Sequence, residues 1–510
     1  VTGLKIEIDW DKDGFGAGDD VTGDVQVAGD TVTCSYGRDL TSALAPTVAG
    51  QGGFVLDNKL KRYTSRNTAS PLYGKIKPAR PVRITRSYPA VGTGDDAETD
   101  IDSDVESGPA VSYTLLVGHT DAQPLNPDVE SKRVTLSLMD ALADFKNTQI
   151  STPVYRGIRT GQAINYILDA CGWTGGRDID TGATQIEWFW EDGIDALEAM
   201  EKIVRSEGPP ALLTMGVNNE IIFWDRHHRI LSPASITEQS TWRNWAPTAP
   251  EPTMNEPFSV DEAWANIINT GQVSVDVRAI QIPEDVWTQE GLITLQASET
   301  KRIIASASEP FINARSPVAG TDYTLVQGSV TITLSRTSGA STEITITAGG
   351  SAAVVQDLKL SAQPIRTAYT IQVSASDPTS IADYGQAAFA GDLPWCNQYD
   401  AKAILDIAIG MHKQPLPTIE ARFLIKEDRG RGEMALSRNL SDLVWVIEAE
   451  SMLNQGFYVE WIGHAFTEVF DHEVSFRCEA VPASRPDPAT ILILDSTVPG
   501  HRLGEGVLVL

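Results

Sequence analysis

Cysteine is scarce in this chain. Four are scattered over 510 residues, Cys34, Cys171, Cys396 and Cys478, and no two stand in a CxxC pair. The pattern encodes neither a zinc ribbon nor a disulfide framework and suits a reducing site of synthesis. Basic residues are also outnumbered. The 40 Lys and Arg against 68 Asp and Glu leave a net charge of −28, which excludes a surface that grips DNA or anionic lipid by charge. Apolar runs stay at strand length, as at 491–494, far below the ~18 residues of a membrane helix, and the first residues show no apolar signal core. Enzyme signatures are missing too. Gly74-Lys75 lacks the upstream glycine of a phosphate loop, His472-Glu473 is not followed by a zincin histidine, and neither a GxSxG elbow nor a strand-to-helix GxGxxG occurs.

What is present reads as cores and short strands. Hydrophobic residues make up 42% of the chain, too many for a disordered one. Leu4-Lys5-Ile6-Glu7-Ile8 alternates apolar and polar, the period of a half-buried strand. Further short strands follow up to about residue 138, separated by turn residues, as in a sandwich or barrel. Near residue 155 the period changes to that of helices. Thr160 is placed to cap a helix carrying Ala163, Ile164, Ile167, Leu168 and Cys171, stopped by Gly172, and a second helix covers about 193–206. Asn218-Asn219 then turns a hairpin. Strands dominate again to about 373, and a helix near 400–413 precedes four more strands.

The expected fold is a β-rich, multi-domain α+β chain with β-barrel or sandwich domains and a small two-helix α+β domain. The expected parts are 1–155, an N-terminal β-barrel-like domain; 156–235, the α+β domain; 236–292, linker and returning strands; 293–376, a β-sandwich; 377–483, a C-terminal α+β domain; and 484–510, an extension. The acidic run at 94–108 reads as a solvated hairpin loop.

The sharpest local motif runs from Asp9 to Asp20, Asp-Trp-Asp-Lys-Asp-Gly-Phe-Gly-Ala-Gly-Asp-Asp. It follows the twelve-residue calcium loop, with Asp in place of the usual Glu at the last position. In that pattern Asp9, Asp11 and Asp13 converge on one ion, Gly14 makes the turn, the Phe15 carbonyl faces inward and Asp20 closes the shell. The entering segment is a strand, so the expectation is a static structural Ca2+ loop, against the alternative of an empty acidic turn. Other clusters read as structural. His227 and His228, if on a strand, point to opposite faces and cannot share a metal. His464 and His472 fall in neighbouring strands as partly exposed sheet residues. Trp188-Phe189-Trp190 and Trp173 either fill a small core or face a partner.

The order of several segments carries a resemblance. These are the opening Leu4 to Thr22; Ser35-Tyr36-Gly37-Arg38-Asp39; Val55-Leu56-Asp57-Asn58; Ser70-Pro71-Leu72-Tyr73-Gly74; and Pro78-Ala79-Arg80-Pro81-Val82-Arg83. Val134 to Leu142, Thr160-Gly161-Gln162-Ala163-Ile164, Ile167 to Trp173, Arg177-Asp178-Ile179-Asp180 and Phe223 to Arg229 follow. In this order the chain resembles the tail hub, or minor tail, proteins of long-tailed bacteriophages, related to baseplate hubs. The likeness is strong over about 1–235, moderate over about 380–480 and weak over 290–375.

The resemblance implies a non-enzymatic scaffold at the tail tip of a virion, made in the bacterial host. Its implied partners are two further copies in a homotrimer, the distal tail protein, the C-terminus of the tape-measure protein, and fibres or other minor tail proteins. DNA passes through such a ring at genome ejection without specific binding, and an acidic chain suits a lining that does not hold phosphates. Many relatives carry a peptidoglycan hydrolase or fibre domain beyond the hub, and none is expected within these 510 residues. The competing readings are a cell-wall hydrolase and a calcium-dependent carbohydrate-binding module.

Overall fold

The computed structural model describes residues 3–26, 31–38, 40, 47–88, 110–121, 127–244, 254–425, 429–468 and 471–483. The acidic run at 94–108 and the extension at 484–510 lie outside them. Among the described residues strands dominate, and the largest sheet has twelve. Six come from the start of the chain: Leu4–Ile8, Val32–Arg38, Thr47–Asp57, Pro81–Tyr88, Val111–Thr120 and Arg133–Met139. Six come from later: Glu238–Arg243, Asn255–Asp261, Thr418–Leu424, Leu443–Glu448, Leu453–Thr467 and Asp471–Ala480. Strict alternation of buried and half-buried positions along Pro81–Tyr88 and Thr418–Leu424 shows one face of each packed on a core.

The two sets of strands meet at one seam. Val32–Arg38 pairs antiparallel with Leu453–Thr467, from Val32 opposite Phe466 to Gly37 opposite Trp461. Gly37 sits at φ +123°, and a Cβ there would lie 2.4 Å from the Glu460 carbonyl oxygen. Only glycine lets the strands approach this closely. On either side lies a separate core. The N-terminal one holds Ile6, Ile8, Phe54, Leu56, Ile84 and Leu136, and the C-terminal one Trp242, Phe423, Phe457, Ile462 and Phe476. Each lends a side chain to the other: Phe466 packs in the N-terminal core and Tyr36 in the C-terminal one. Burying such a side chain stabilises by about 1.5–3 kcal/mol, so the exchange helps join the two halves.

Two further modules attach to this body. The helices Thr160–Ala170 and Ala196–Glu207 pack over short strands around Ile164, Ile167, Leu168, Met200, Ile203, Phe189 and Phe223. Thr160 does not cap the first helix. It lies within the first turn, and the Gln162 side chain instead accepts from the Arg159 amide at 3.0 Å. The other module is a pair of sheets around Ile293, Phe311, Ile344, Ile346, Val355 and Leu360. It stands on a stem formed by Thr270–Ile280 and the 24-residue strand Ala353–Ser376.

The stretch 236–292, expected as linker and returning strands, supplies Glu238–Arg243, parallel to Leu443–Glu448, and Asn255–Asp261, antiparallel to Thr418–Leu424. The Pro- and Ser-rich composition concealed these strands, because their partners lie about 160 to 200 residues downstream.

Candidate functional site

The acidic loop is built off the first strand. Leu4–Ile8 delivers Asp9 into a buried position, where Oδ1 accepts from the amides of Lys12 at 2.6 Å and Asp13 at 3.2 Å, and Oδ2 from Gly14 at 2.9 Å. Lys12 and Gly14 both take positive φ, which curls the chain around that carboxylate. A short 3-10 turn, Ala17–Asp19, then brings Asp19 back, with its Oδ2 accepting from Gly16 at 2.8 Å. Carboxylate oxygens of Asp9, Asp13 and Asp19 lie within 4.8 Å of one another.

Two further carboxylates of the sequence pattern, Asp11 and Asp20, make other contacts, and the Phe15 side chain packs outside the cluster. Asp11 pairs with Lys75 at 2.7 Å. The Phe15 ring lies under the Arg83 guanidinium, 4.5 Å from ring centre to Cζ. Asp20 accepts from the Thr22 amide at 2.9 Å and forms an extended bridge with Glu7. The carboxylate that closes the cluster is thus Asp19, one residue earlier than the spacing implied. The cause is local: the 3-10 turn rotates Asp19 inward, and the bridge to the first strand turns Asp20 out.

Three like charges at this separation repel by roughly 1–4 kcal/mol per pair between bulk-water and protein-surface screening, a cost a divalent cation would relieve. The donor set is hard oxygen and fits calcium chemistry. Asp9 is already engaged by three amides, so its first duty is to shape the loop.

Buried charge lies at the joints between modules. At the seam, Arg38 reaches Glu460 at 3.1 Å and Glu479 at 3.4 Å. Arg229, just after the α+β module, meets Glu460 at 2.5 Å and lies over the Tyr458 ring at 4.8 Å. Two positive and two negative side chains balance here, all nearly out of water. Burial pushes the Glu479 carboxyl above its ordinary range, opposed by Arg38. The nearby His412 is pushed down to about 4, by burial first and then by the charges of Arg38 and Arg229.

A second joint centres on Glu207, which is fully buried. It accepts from Thr160 Oγ1 at 2.6 Å and from the Ala183 and Thr184 amides, both at 3.0 Å. Arg226 donates to the Glu207 carbonyl at 2.8 Å and stands 3.6 Å from Asp400 on the Gln398–His412 helix. Trp395, just before that helix, packs edge-on against Phe189 in the α+β core at 5.2 Å.

The segment from Asp225 to Arg229 is a turn leading into the short helix His228–Leu231, not a strand. Asp225 accepts from the His227 amide and starts the turn. His228 stacks on Trp224 at 4.2 Å, with Nδ1 3.0 Å from Asp180 Oδ2. His464 and His472 are buried rather than partly exposed, and they touch. Trp188 and Phe189 are buried in the α+β module, and Trp190 lines its edge. No sequence signal marked Arg38, Glu207 or Glu460 as partners in these joints, because each pairs with residues far away along the chain.

No protein-family model matches the chain, and no curated protein matches it. Solved structures similar in arrangement are phage tail proteins and components of type VI secretion systems. One is the tail protein from Neisseria meningitidis, at 9% identity over 94% of this chain and 96% of that one, with a TM-score of 0.47. Another is the 43 kDa tail protein of prophage MuSo2 from Shewanella oneidensis, at 11% identity over 94% and 98%, with a TM-score of 0.47. A third is an E. coli component of the type VI secretion system with structural similarity to the T4 tail proteins gp27 and gp5. It stands at 9% identity over 90% and 75%, with a TM-score of 0.36. These likenesses concern the arrangement of the chain and say nothing about shared chemistry. Among the described residues, no helix is long and apolar enough to cross a membrane.

Proposed function

We propose that this chain is an architectural protein of a bacteriophage tail, a tail-tip hub that assembles as a homotrimer around the path of the DNA and tape-measure protein. The observation that carries the reading is the buried, charge-balanced cluster of Arg38, Arg229, Glu460 and Glu479 at the seam of the shared sheet. Charges taken out of water add little net stability, but a broken pair is costly, so such clusters favour one relative placement of the parts they join. A ring built of several modules per copy needs that fixed placement. The order of sequence segments, which resembles that of tail hub proteins, supports the same reading, as does the acidic composition, which disfavours retention of DNA. In this role the distal tail protein, the tape-measure C-terminus and fibres are its neighbours, and the chain breaks no bonds.

Native mass spectrometry and negative-stain microscopy of the purified 55.2 kDa chain test the proposal. Three copies around an open axis are expected. A chain that stays monomeric at all concentrations, alone and with a distal tail ring, or that clears peptidoglycan in a zymogram, would remove it.

We also propose that Asp9, Asp13 and Asp19 hold a structural Ca2+. The ion would neutralise the three converging carboxylates and pin the loop to the first strand. The proposal rests on the loop pattern and on this convergence.

A further inference from the structure

A cleft of about 190 Å³ opens where three parts of the chain meet. One wall is the strand Gln185–Phe189 of the α+β module, another the stem strands Thr270–Ile280 and Ala353–Ser376, and the third the start of the Gln398–His412 helix. Its aromatic lining is Trp188, Trp395, Tyr369 and Tyr399. The two indoles are nearly buried, whereas Tyr369 is 58% and Tyr399 78% exposed. These two rings leave most of their surface open within this chain, although Tyr is among the residues most enriched where proteins meet partners.

Arg278 lines the same cleft and packs against Trp395 and against Trp190, which lies outside the lining. Its guanidinium lies 5.1 Å from the ring centres of both Trp190 and Trp395, and among the described residues no hydrogen bond or ion pair reaches it. Of the other arginines nearby, Arg226 donates to Thr184 and to the Glu207 carbonyl, Arg229 meets Glu460, and Arg156 lies over the Trp188 ring at 4.8 Å. Arg278 also lies at a register shift. Val277 faces Tyr369 but Arg278 faces Thr367, so the long strand carries an extra residue at the cleft. A bulge of this kind re-aims side chains and is common beside binding sites. Glu187 and Gln398 supply further polar groups, with no partner of their own among the described residues.

We propose that this cleft binds a neutral saccharide. The faces of Tyr369 and Tyr399 would stack on the C–H face of a sugar ring. Arg278, Gln398 and Glu187 would bond its hydroxyls, since a hydroxyl both donates and accepts while guanidinium only donates and carboxylate only accepts. Charge decides against an anionic ligand. Arg278 contributes one positive charge to the lining and Glu187 and Asp276 two negative ones, so the lining is net negative. Size decides against a large compact ligand, because drug-sized pockets run to ~300–1,000 Å³. One sugar ring fits, with the rest of a glycan leaving by the open side. No residue of the acidic loop lines the cleft, so binding is independent of calcium.

The test is saturation-transfer NMR on the full chain with glucose, galactose, mannose, rhamnose and N-acetylglucosamine as neutral probes, and glucuronic acid and inorganic phosphate as anionic ones. At least one neutral sugar is expected to bind, equally in calcium and in chelator. Tyr399→Ala and Tyr369→Ala should weaken that binding by about tenfold, and Tyr384→Ala, an exposed tyrosine outside the cleft, should leave it unchanged. Arg278→Gln should abolish it. Because that change also loosens the Trp190–Trp395 contact, the surface variant Tyr399→Ala decides the matter. The proposal is overturned if no neutral sugar of the panel binds, if an anionic probe binds in preference, or if Tyr399→Ala binds like the wild type. Oligomeric state does not enter this measurement, so its failure leaves the hub reading untouched.

Discussion

Nδ1 of His464 lies 3.2 Å from Nε2 of His472, with both rings buried between the seam strand and its neighbour. At this distance one ring donates and the other accepts, which requires the accepting ring to be neutral and forbids both rings from being protonated at once. His472 also stacks on Phe466, 4.0 Å between ring centres, so the pair sits against the N-terminal core.

The pair makes the fold sensitive to acid. Burial pushes His464 from 6.5 down to about 3. It pushes His472 well below 6.5, helped by the charges of His464 and Arg86. With folded values below the unfolded one, the unfolded chain takes up protons first. The contribution is therefore whole above pH 6.5 and is lost as pH falls from there toward 3. For His464 alone the loss is about 2 kcal/mol at about pH 5. Asp140 and Asp442, each raised to about 6 by burial, act in the opposite sense, favouring the folded state as pH falls through 6. Comparing His464→Gln with wild type isolates the histidine part. Urea unfolding at about pH 7.5 and about pH 5 should show the variant losing roughly 2 kcal/mol less. Equal losses in the two proteins would mean the ring is not held neutral.

The acidic loop separates two roles of its carboxylates. Asp9→Ala leaves the amides of Lys12, Asp13 and Gly14 without their acceptor and should cost about 1–3 kcal/mol in chelator, with the calcium-dependent part lost in addition when calcium is present. Asp13→Asn and Asp19→Asn should remove only the calcium-dependent part, up to ~2.7 kcal/mol at a hundredfold excess over Kd. Asp11→Ala, whose partner is Lys75, should change stability by less than about 1 kcal/mol. Melting curves in calcium and in chelator read all four. A wild-type melting temperature that is the same in both buffers would show that the loop holds no ion.

The seam cluster predicts an asymmetric cost. Glu460→Ala leaves Arg229 without its carboxylate and Arg38 with Glu479 alone and should destabilise by about 3–5 kcal/mol. Glu460→Gln keeps the volume and an acceptor oxygen and should cost less. Denaturant unfolding of the two variants checks this. A Glu460→Ala protein within about 0.5 kcal/mol of wild type would show that the cluster does not secure the seam.

What the sequence determined by itself was local. Alternation marked Leu4–Ile8 as a strand, the 3.6-residue period marked Thr160–Ala170 as a helix, and the aspartate spacing marked the loop, because each depends on residues within a few positions of one another. The tertiary structure alone decided what came from elsewhere in the chain. It exchanged Asp19 for Asp20 through a 3-10 turn and a bridge to Glu7, and turned Thr160 from a cap into a donor to Glu207. It also gave the Pro-rich stretch after 236 strand partners near 420 and 445, and set Arg278 against two touching indoles beside a bulge. The physical reason is common to all of these. A buried charge or an edge strand takes its state from the partner that desolvates or pairs with it, and no short-range pattern carries that partner's identity.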